Sequence, residues 1–447
     1  MSSQAPASPD AAARVLPRVT RRLVSFAFIC YVIAYIDRVN VGFVSTILQR
    51  ELGLSNQAYG FGAGLFFFGY FLFEIPSNLI LERVGARRWI ARIMIVWGFV
   101  SMATIFVTGE RSFYLLRFLL GLAEAGFFPG IVLYLTYWIP ARERARNGAL
   151  FMMAAPVAML VGAPVSEALL RLDGQLGLAG WQWLFVIEGL PAVVLGLLAL
   201  LVLTDRPEQA TWLDPEGRTW LSEQMALERK ERVAHGGDWR SLLNRKLLLL
   251  CLFYFLNTTV TYGIFLWLPR MLEEALGRRS FVLVMIPFAF ALIGMVLIGR
   301  HSDKTGERKR HVAACALVAA IGLVLAAFFQ ASPALLVLSL TICQIGQRAV
   351  QPTFWAIPPL FLGGTAAAAG IALINSVGNL GGQLGPWVVG SLRDLTHSHA
   401  GGLLLLAGLL VVEAALVLSL RLPPREPGLP ERAGPGGSSL APGEPRS

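Results

Sequence analysis

The chain has 447 residues, of which 55% are hydrophobic and only 15% charged, with a mean hydropathy of +0.61. A water-soluble domain carries roughly a quarter of its residues as Asp, Glu, Lys and Arg, so the composition excludes one of this size. The net charge of +10 does not announce a nucleic-acid partner, because the basic residues stand between apolar runs, where membrane orientation requires them.

In chain order, apolar runs long enough to cross the hydrocarbon core fall near 23–45, 57–80, 89–108, 113–138, 146–170, 181–203, 247–268, 280–299, 312–330, 333–355, 366–392 and 401–421. The runs are continuous rather than alternating, so the fold class is all-α, a polytopic membrane protein with 12 transmembrane helices. No cleavable signal peptide is expected. Residues 1–20 are polar, and the first apolar run is long enough to remain as a span. An even number of spans puts both termini on one side. Segments on that side hold 27 Lys and Arg, against seven on the other. The positive-inside rule therefore places both termini in the cytoplasm, and the membrane is expected to be the inner membrane of a bacterium.

Span one carries Tyr35-Ile36-Asp37-Arg38. Adjacent helical residues point ~100° apart, so Asp37 and Arg38 each need a partner elsewhere. Tyr70 in span two suits a cavity wall or a packed core equally. Glu74 is expected to join the charge network of the loop that follows. Span four carries Arg117 and Glu124 in RFLLGLAEAGFFPG. Read as one continuous helix, the stretch sends both side chains out within ~20° of each other, about 10.5 Å apart along the axis. A charge at mid-membrane costs about 2.5–3.5 kcal/mol unless it faces protein or water. A cation and an acid on one inward stripe point to a pathway for an anion and a proton, with a purely structural salt bridge as the rival. Glu188 and Glu413 are expected to pair structurally or to face an interface. The four cysteines lie inside spans, and neither a disulfide framework, a metal site nor a cofactor is expected.

The polar stretch 204–246 separates the two sets of six spans. Asp214-Pro215-Glu216 reads as the start of an amphipathic helix within it. Residues 1–20 and the Pro-, Gly- and Ser-rich 422–447 are expected to be disordered cytoplasmic tails. The domains are thus an N-terminal six-helix bundle at 21–203, the linker at 204–246 and a C-terminal six-helix bundle at 247–421.

The chain repeats. Asn78-x-x-x-Glu82-Arg83-x-Gly85-x-Arg87-Arg88 follows span two, and Gly299-x-x-x-Asp303-Lys304-x-Gly306-x-Arg308-Lys309 follows span eight, 221 residues on. Pro164 and Pro386 are 222 apart. Two halves in the same orientation account for both offsets. The acids are not repeated. Asp37 maps onto Thr258 and Glu124 onto Ile345. The second half instead places neutral hydrogen-bonding groups in its spans: Asn257, Gln347, Trp355, Asn375 and Asn379. The first half is expected to handle charge and protons, and the second to bind neutral oxygens of a substrate. Arg348 either receives a second anionic group, favouring a dicarboxylate, or pairs with an acid. Gly60-x-x-x-Gly64, Gly126-x-x-x-Gly130 and Gly381-x-x-x-Gly385 are expected to let helices approach closely.

The doubled loop resembles the signature of the major facilitator superfamily. The stretches YIDRVNVGF, GYFLFEIPSNLILERVGARRWI, RFLLGLAEAGFFPG, WQWLFVIEGLPAV and FWAIPPLFLGGTAAAAGIALINSVGNLGG resemble its anion:cation symporter branch. Asn78 and Glu82 depart from the glycine and aspartate usual in the first loop. The resemblance implies two pseudo-symmetric six-helix bundles working by alternating access as a symporter of small organic anions such as tartrate, sugar acids or aromatic acids. Protons are the implied coupling ion, ahead of sodium, and a monomer in the lipid bilayer is expected. By this likeness Asp37 and Glu124 are the proton-coupling residues. Arg38, Arg117, Tyr35, Tyr70, Asn257, Trp355, Asn375 and Asn379 contact substrate. Glu82, Arg83, Gly85, Arg87, Asp303, Lys304, Gly306 and Arg308 act as gates, latching the halves on the cytoplasmic side when the carrier faces outward. An antiporter or uniporter of the same fold and a non-transporting membrane sensor stay open as alternatives. An enzyme is not expected, since no nucleophile–base set is visible.

Overall fold

A computed structural model describes residues 9–234, 245–358 and 364–420, and within them the chain is helical with no strand. Among the described residues, eleven helices are long and apolar enough to cross a membrane. The position of span eleven is taken by Gly364–Thr396, a helix of 33 residues whose apolar character is diluted by glycines and by Asn375, Asn379 and Gln383. The fold is that of a polytopic helical membrane protein with two pseudo-symmetric sets of six spans.

The helix pairing carries the symmetry. Span two (Asn56–Val84) packs on span four, and span eight (Phe281–Thr305) packs on span ten (Pro333–Trp355). Span three (Ala86–Met102) packs on span six (Gly180–Val202), as span nine (Arg308–Phe328) packs on span twelve (Ala400–Ser419). Span one (Ser25–Phe43) packs on span five (Ala154–Leu170), as span seven (Arg245–Phe265) packs on span eleven. The two sets meet along spans two and eleven and along spans five and eight.

Span four is not one helix. It runs Glu110–Glu124, breaks, and resumes as Phe127–Leu135. Pro129 has no N–H to offer the carbonyl four residues back, and its ring would strike it. Gly126 then turns the chain at φ +85, with Ser77 Oγ 2.2 Å from where a Cβ would sit. The break follows directly on Glu124.

Residues 1–20 are not wholly irregular, contrary to expectation. Pro9–Val19 is a helix that runs through a π-helical turn, Thr20–Val24, into span one. Ala11, Val15 and Val19 recur every fourth residue and are buried. The helix lies on the linker helix Pro215–Ala234, with Arg14 donating to Glu216 at 3.1 Å and Arg18 to Asp214 at 3.1 Å. Burial of the one-sided stripe, with its cations facing acids at the start of the partner helix, orders a tail that composition alone marks as polar. Residues 422–447 lie outside the described residues.

On the side away from this N-terminal helix, the two sets of spans are closed against each other. Asp394 at the end of span eleven accepts from Asn56 N at 3.3 Å, Asn56 Nδ2 at 2.6 Å and Gln57 N at 2.7 Å, so it caps span two. Arg270 donates to Gln49 at 2.5 Å and Asn56 at 2.8 Å, and Thr46 to Glu273 at 3.1 Å. Further in, Gly60 meets the backbone of span eleven. A Cβ there would lie 2.3 Å from the Pro386 carbonyl.

Candidate functional site

Span one brings Asp37 and Arg38 to the centre of the first six spans, and both are buried. As their spacing requires, they turn to different neighbours. Asp37 Oδ1 accepts a short hydrogen bond from Ser101 of span three and a second from Asn40 Nδ2 at 3.2 Å. Arg38 donates to Glu124 of span four in a short ion pair and to the Tyr262 hydroxyl of span seven at 3.4 Å. The rings of Tyr35, Phe66 and Tyr70 lie 5.3, 5.2 and 5.4 Å from its guanidinium carbon. Aromatic faces hold a cation in place without neutralising it as a carboxylate does.

Arg117 and Glu124 therefore do not form a pair. Arg117 is 2% exposed, donates one hydrogen bond to the Ala63 carbonyl at 3.3 Å and lies over Phe66 at 5.4 Å. Its Nε and Nη1 have no partner. It makes no ion pair with an acid among the described residues. Asp37 Oδ2, Glu124 Oε2 and Arg38 Nε are likewise buried with no partner. A buried polar atom left unpaired costs about 1–3 kcal/mol, more where the group is charged. Four charged groups in one place with spare polar atoms are set for chemistry rather than for stability.

The amides of the second half lie elsewhere than expected. Asn375 Nδ2 donates to Glu74 Oε1 at 2.7 Å, Ser376 Oγ to Glu74 Oε2 at 2.8 Å and Asn379 Nδ2 to Glu74 Oε2 at 3.4 Å. Glu74 thus belongs to the contact between spans two and eleven, not to the loop after span two. Asn257 donates to Glu413 at 2.9 Å. Gln347 is bound to Thr261 at 2.8 Å and to the Asn257 carbonyl at 3.1 Å. Trp355 packs edge-on to Tyr254 with ring centres 4.9 Å apart. Glu188 accepts from Ser166 at 2.7 Å. Arg348 has no acidic partner among the described residues.

The signature loops engage their own halves. Gly85 and Gly306 both turn the chain at positive φ. Arg87 binds Asp205 through its backbone N–H at 2.8 Å and the Leu200 carbonyl through Nε at 2.6 Å, at the end of span six. Arg308 pairs with Asp303 at 2.5 Å, and Lys309 reaches the Leu420 carbonyl at 2.5 Å, at the end of span twelve. Glu82, Arg83 and Lys304 are exposed. With the opposite side closed, these loops are not joined to one another by any hydrogen bond or ion pair among the described residues.

A family model described as Major Facilitator Superfamily matches residues 27–386. The chain belongs to the major facilitator superfamily. It falls in the anion:cation symporter branch and is a membrane transporter. A candidate tartrate transporter of Agrobacterium vitis is 49% identical over 415 residues, 92% of each chain. A quinolone resistance transporter of Acinetobacter baumannii is 41% identical over 398 residues, 88% of this chain and 92% of that one. Among solved structures, the xylose transporter XylE of Escherichia coli, in a partially occluded inward-open conformation, matches with a TM-score of 0.74 at 15% identity. That match covers 90% of this chain and 97% of XylE, and at that identity it bears on the fold alone.

Sequence reasoning missed Ser101, Asn40 and Ser376 as partners of the buried acids, and did not single out Tyr262 as a partner of Arg38. Asn40 was within reach, since a residue three on from Asp37 shares its helix face. Ser101 and Ser376 belong to other spans, and a lone hydroxyl in an apolar run carries no signal of its partner.

Proposed function

We propose that this transporter imports small organic anions together with protons, by alternating access across a bacterial inner membrane with both termini in the cytoplasm. The observation that carries the reading is the Arg38–Glu124 ion pair beside the half-paired Arg117. In the empty carrier Glu124 occupies Arg38. Protonating Glu124 removes the charge that holds the guanidinium and frees it to grip a substrate carboxylate by two parallel hydrogen bonds. Arg117 offers a second set of donors nearby. Asp37, held by Ser101 and Asn40, is the second proton-accepting group. Tyr35 and Tyr70 wall Arg38, while Glu74 and its three span-eleven donors hold the halves together. The relatives named for tartrate support a carboxylate as cargo.

The closed side described above corresponds to an inward-facing carrier. The signature loops, then unlinked, would latch the halves in the outward-facing state. The experiment is uptake of labelled tartrate into proteoliposomes under an imposed pH gradient. Accumulation with acid outside, on the side from which the substrate enters, is the expected result, and accumulation only with acid inside sinks symport. The quinolone relative motivates a second reading, a proton antiporter of drugs. Norfloxacin accumulation with acid inside, or its efflux with acid outside, and no carboxylate uptake, would establish that reading instead.

A further inference from the structure

We propose that Arg348 receives a second anionic group of the substrate, so that the central site is built for a dicarboxylate rather than a monocarboxylate. This rests on the organic-anion reading above. Arg348 is 6% exposed. Among the described residues it makes no ion pair and no hydrogen bond, and its Nε is buried without a partner. Its guanidinium is held only over the rings of Phe265 and Phe288, at 5.3 and 5.8 Å. An uncompensated cation inside a membrane protein is costly and faces either an acid or a cavity that an anion enters.

The buried acids Glu413 and Glu74 are committed elsewhere. Glu413 is taken by Asn257 and Glu74 by Asn375, Ser376 and Asn379. Glu273 and Glu274 serve the closed side, where they bind Arg279 and Arg270. The seating of span ten on span seven is fixed next to Arg348. Gln347, its neighbour in span ten, is tied to Thr261 and to the Asn257 carbonyl of span seven, and Phe265 follows one turn on.

Tyr262 connects this cation to the site already described. Its hydroxyl accepts from Arg38 at 3.4 Å, and its ring lies 6.3 Å from that of Phe265, the ring over which Arg348 sits. Arg38 belongs to the first half and Arg348 to the second. An anion with a carboxylate at each end satisfies both guanidinium groups and joins the two halves across Tyr262. A monocarboxylate leaves Arg348 unpaired.

The test compares tartrate with threonate, the same hydroxylated four-carbon skeleton with one carboxylate replaced by a hydroxymethyl group. Binding to the purified full-length chain is read by thermal shift and by competition with labelled tartrate. The wild type should prefer tartrate by about tenfold or more, the size of one buried charge-assisted contact. Arg348→Gln should bring the two within about threefold, by weakening tartrate and leaving threonate unchanged. Arg348→Lys should fall between, since lysine restores charge without the fork. Equal affinities in the wild type, or a parallel loss of both ligands in R348Q, overturn the assignment. If R348Q does not fold, the wild-type ratio and R348K decide. Failure of the wild type to bind either anion overturns the organic-anion reading as well, whereas equal binding of both overturns only the role of Arg348.

Discussion

Arg38 of span one donates to Glu124 of span four, 86 residues away in the chain and buried with it in the first half. The pair ties the group proposed to bind substrate to a group proposed to bind a proton, so the two events compete for one guanidinium. Replacing Glu124 by Gln removes the competing charge. E124Q should bind tartrate at least as tightly as the wild type, with the pH dependence of binding reduced to what Asp37 contributes, and should exchange internal for external substrate. Uphill accumulation should fall by more than about tenfold, because the proton carried by Glu124 no longer moves with the anion. Undiminished accumulation under an acid-outside gradient would remove Glu124 from the coupling.

Arg38→Lys tests the fork. A lysine keeps the charge but loses the planar bidentate grip and its fit against the three aromatic rings. Loss of one of two charge-assisted hydrogen bonds corresponds to about 1.5–3 kcal/mol, or roughly ten- to 150-fold in affinity. Isothermal titration of the purified variant with tartrate reads the change directly. An affinity within about twofold of wild type would place the substrate away from Arg38.

Glu74 and Asp394 each bridge spans two and eleven, one deep in the protein and one at its closed end. Asp394→Ala removes the acceptor of three hydrogen bonds and should cost the closed state about 1–2 kcal/mol, as loss of a helix cap does. Asn375→Ala strips Glu74 of one donor at similar cost. The two sites are far apart along the helices, so their effects should add. Spin labels at Arg50 and Arg278, both exposed on the closed side, should show a growing long-distance population in double electron–electron resonance. An unchanged distance distribution in the double variant would mean that other contacts close this side.

Much of this was legible in the chain and some was not. Hydropathy marked the spans because each must be apolar along ~30 Å on its own account. The importance of Asp37, Arg38, Arg117 and Glu124 followed from the cost of charge at depth. Who meets whom did not follow. The Arg38–Glu124 and Glu74–Asn375 contacts join positions 86 and 301 residues apart, and a single sequence holds no record of such distances. Arg117 and Glu124 do share a stripe, but ~10.5 Å of helix keeps them apart. The break after Glu124 is written in Gly126 and Pro129, but a run that is apolar throughout masks it. The N-terminal helix was missed for the opposite reason, since Ala11, Val15 and Val19 are a weak apolar stripe in a polar tail, and the face they bury against lies about 200 residues on.

That helix gives a pH-dependent prediction. Asp214 is held below the usual carboxylate range, first by the Gly217 N–H it accepts, and further by Arg14 and Arg18. Its depressed value means that the charged form favours docking. The contribution is present above about pH 4, the ordinary carboxylate value, and is lost as pH falls through the lower folded value. Protection of the amides of residues 9–19 from hydrogen exchange, taken relative to the unstructured-chain rate at the same pH, should therefore fall on acidification below that range and at high salt. Asp214→Asn should show the lowered protection already at neutral pH. Protection unaffected by both would leave the apolar stripe as the sole attachment.

Gly60 seats the backbone of span two directly on the backbone of span eleven, with no side chain between them. Such a joint acts as a bearing. The halves can roll without any rotamer having to change, and the same smoothness leaves the joint with no slack. Gly60→Ala sets a methyl group 2.3 Å from the Pro386 carbonyl, a separation that real atoms do not tolerate, while asking nothing of the state in which the spans have parted. One carbon atom should therefore wedge the transporter open on its closed side, and so provide a handle for trapping the half of the cycle that this structure does not display.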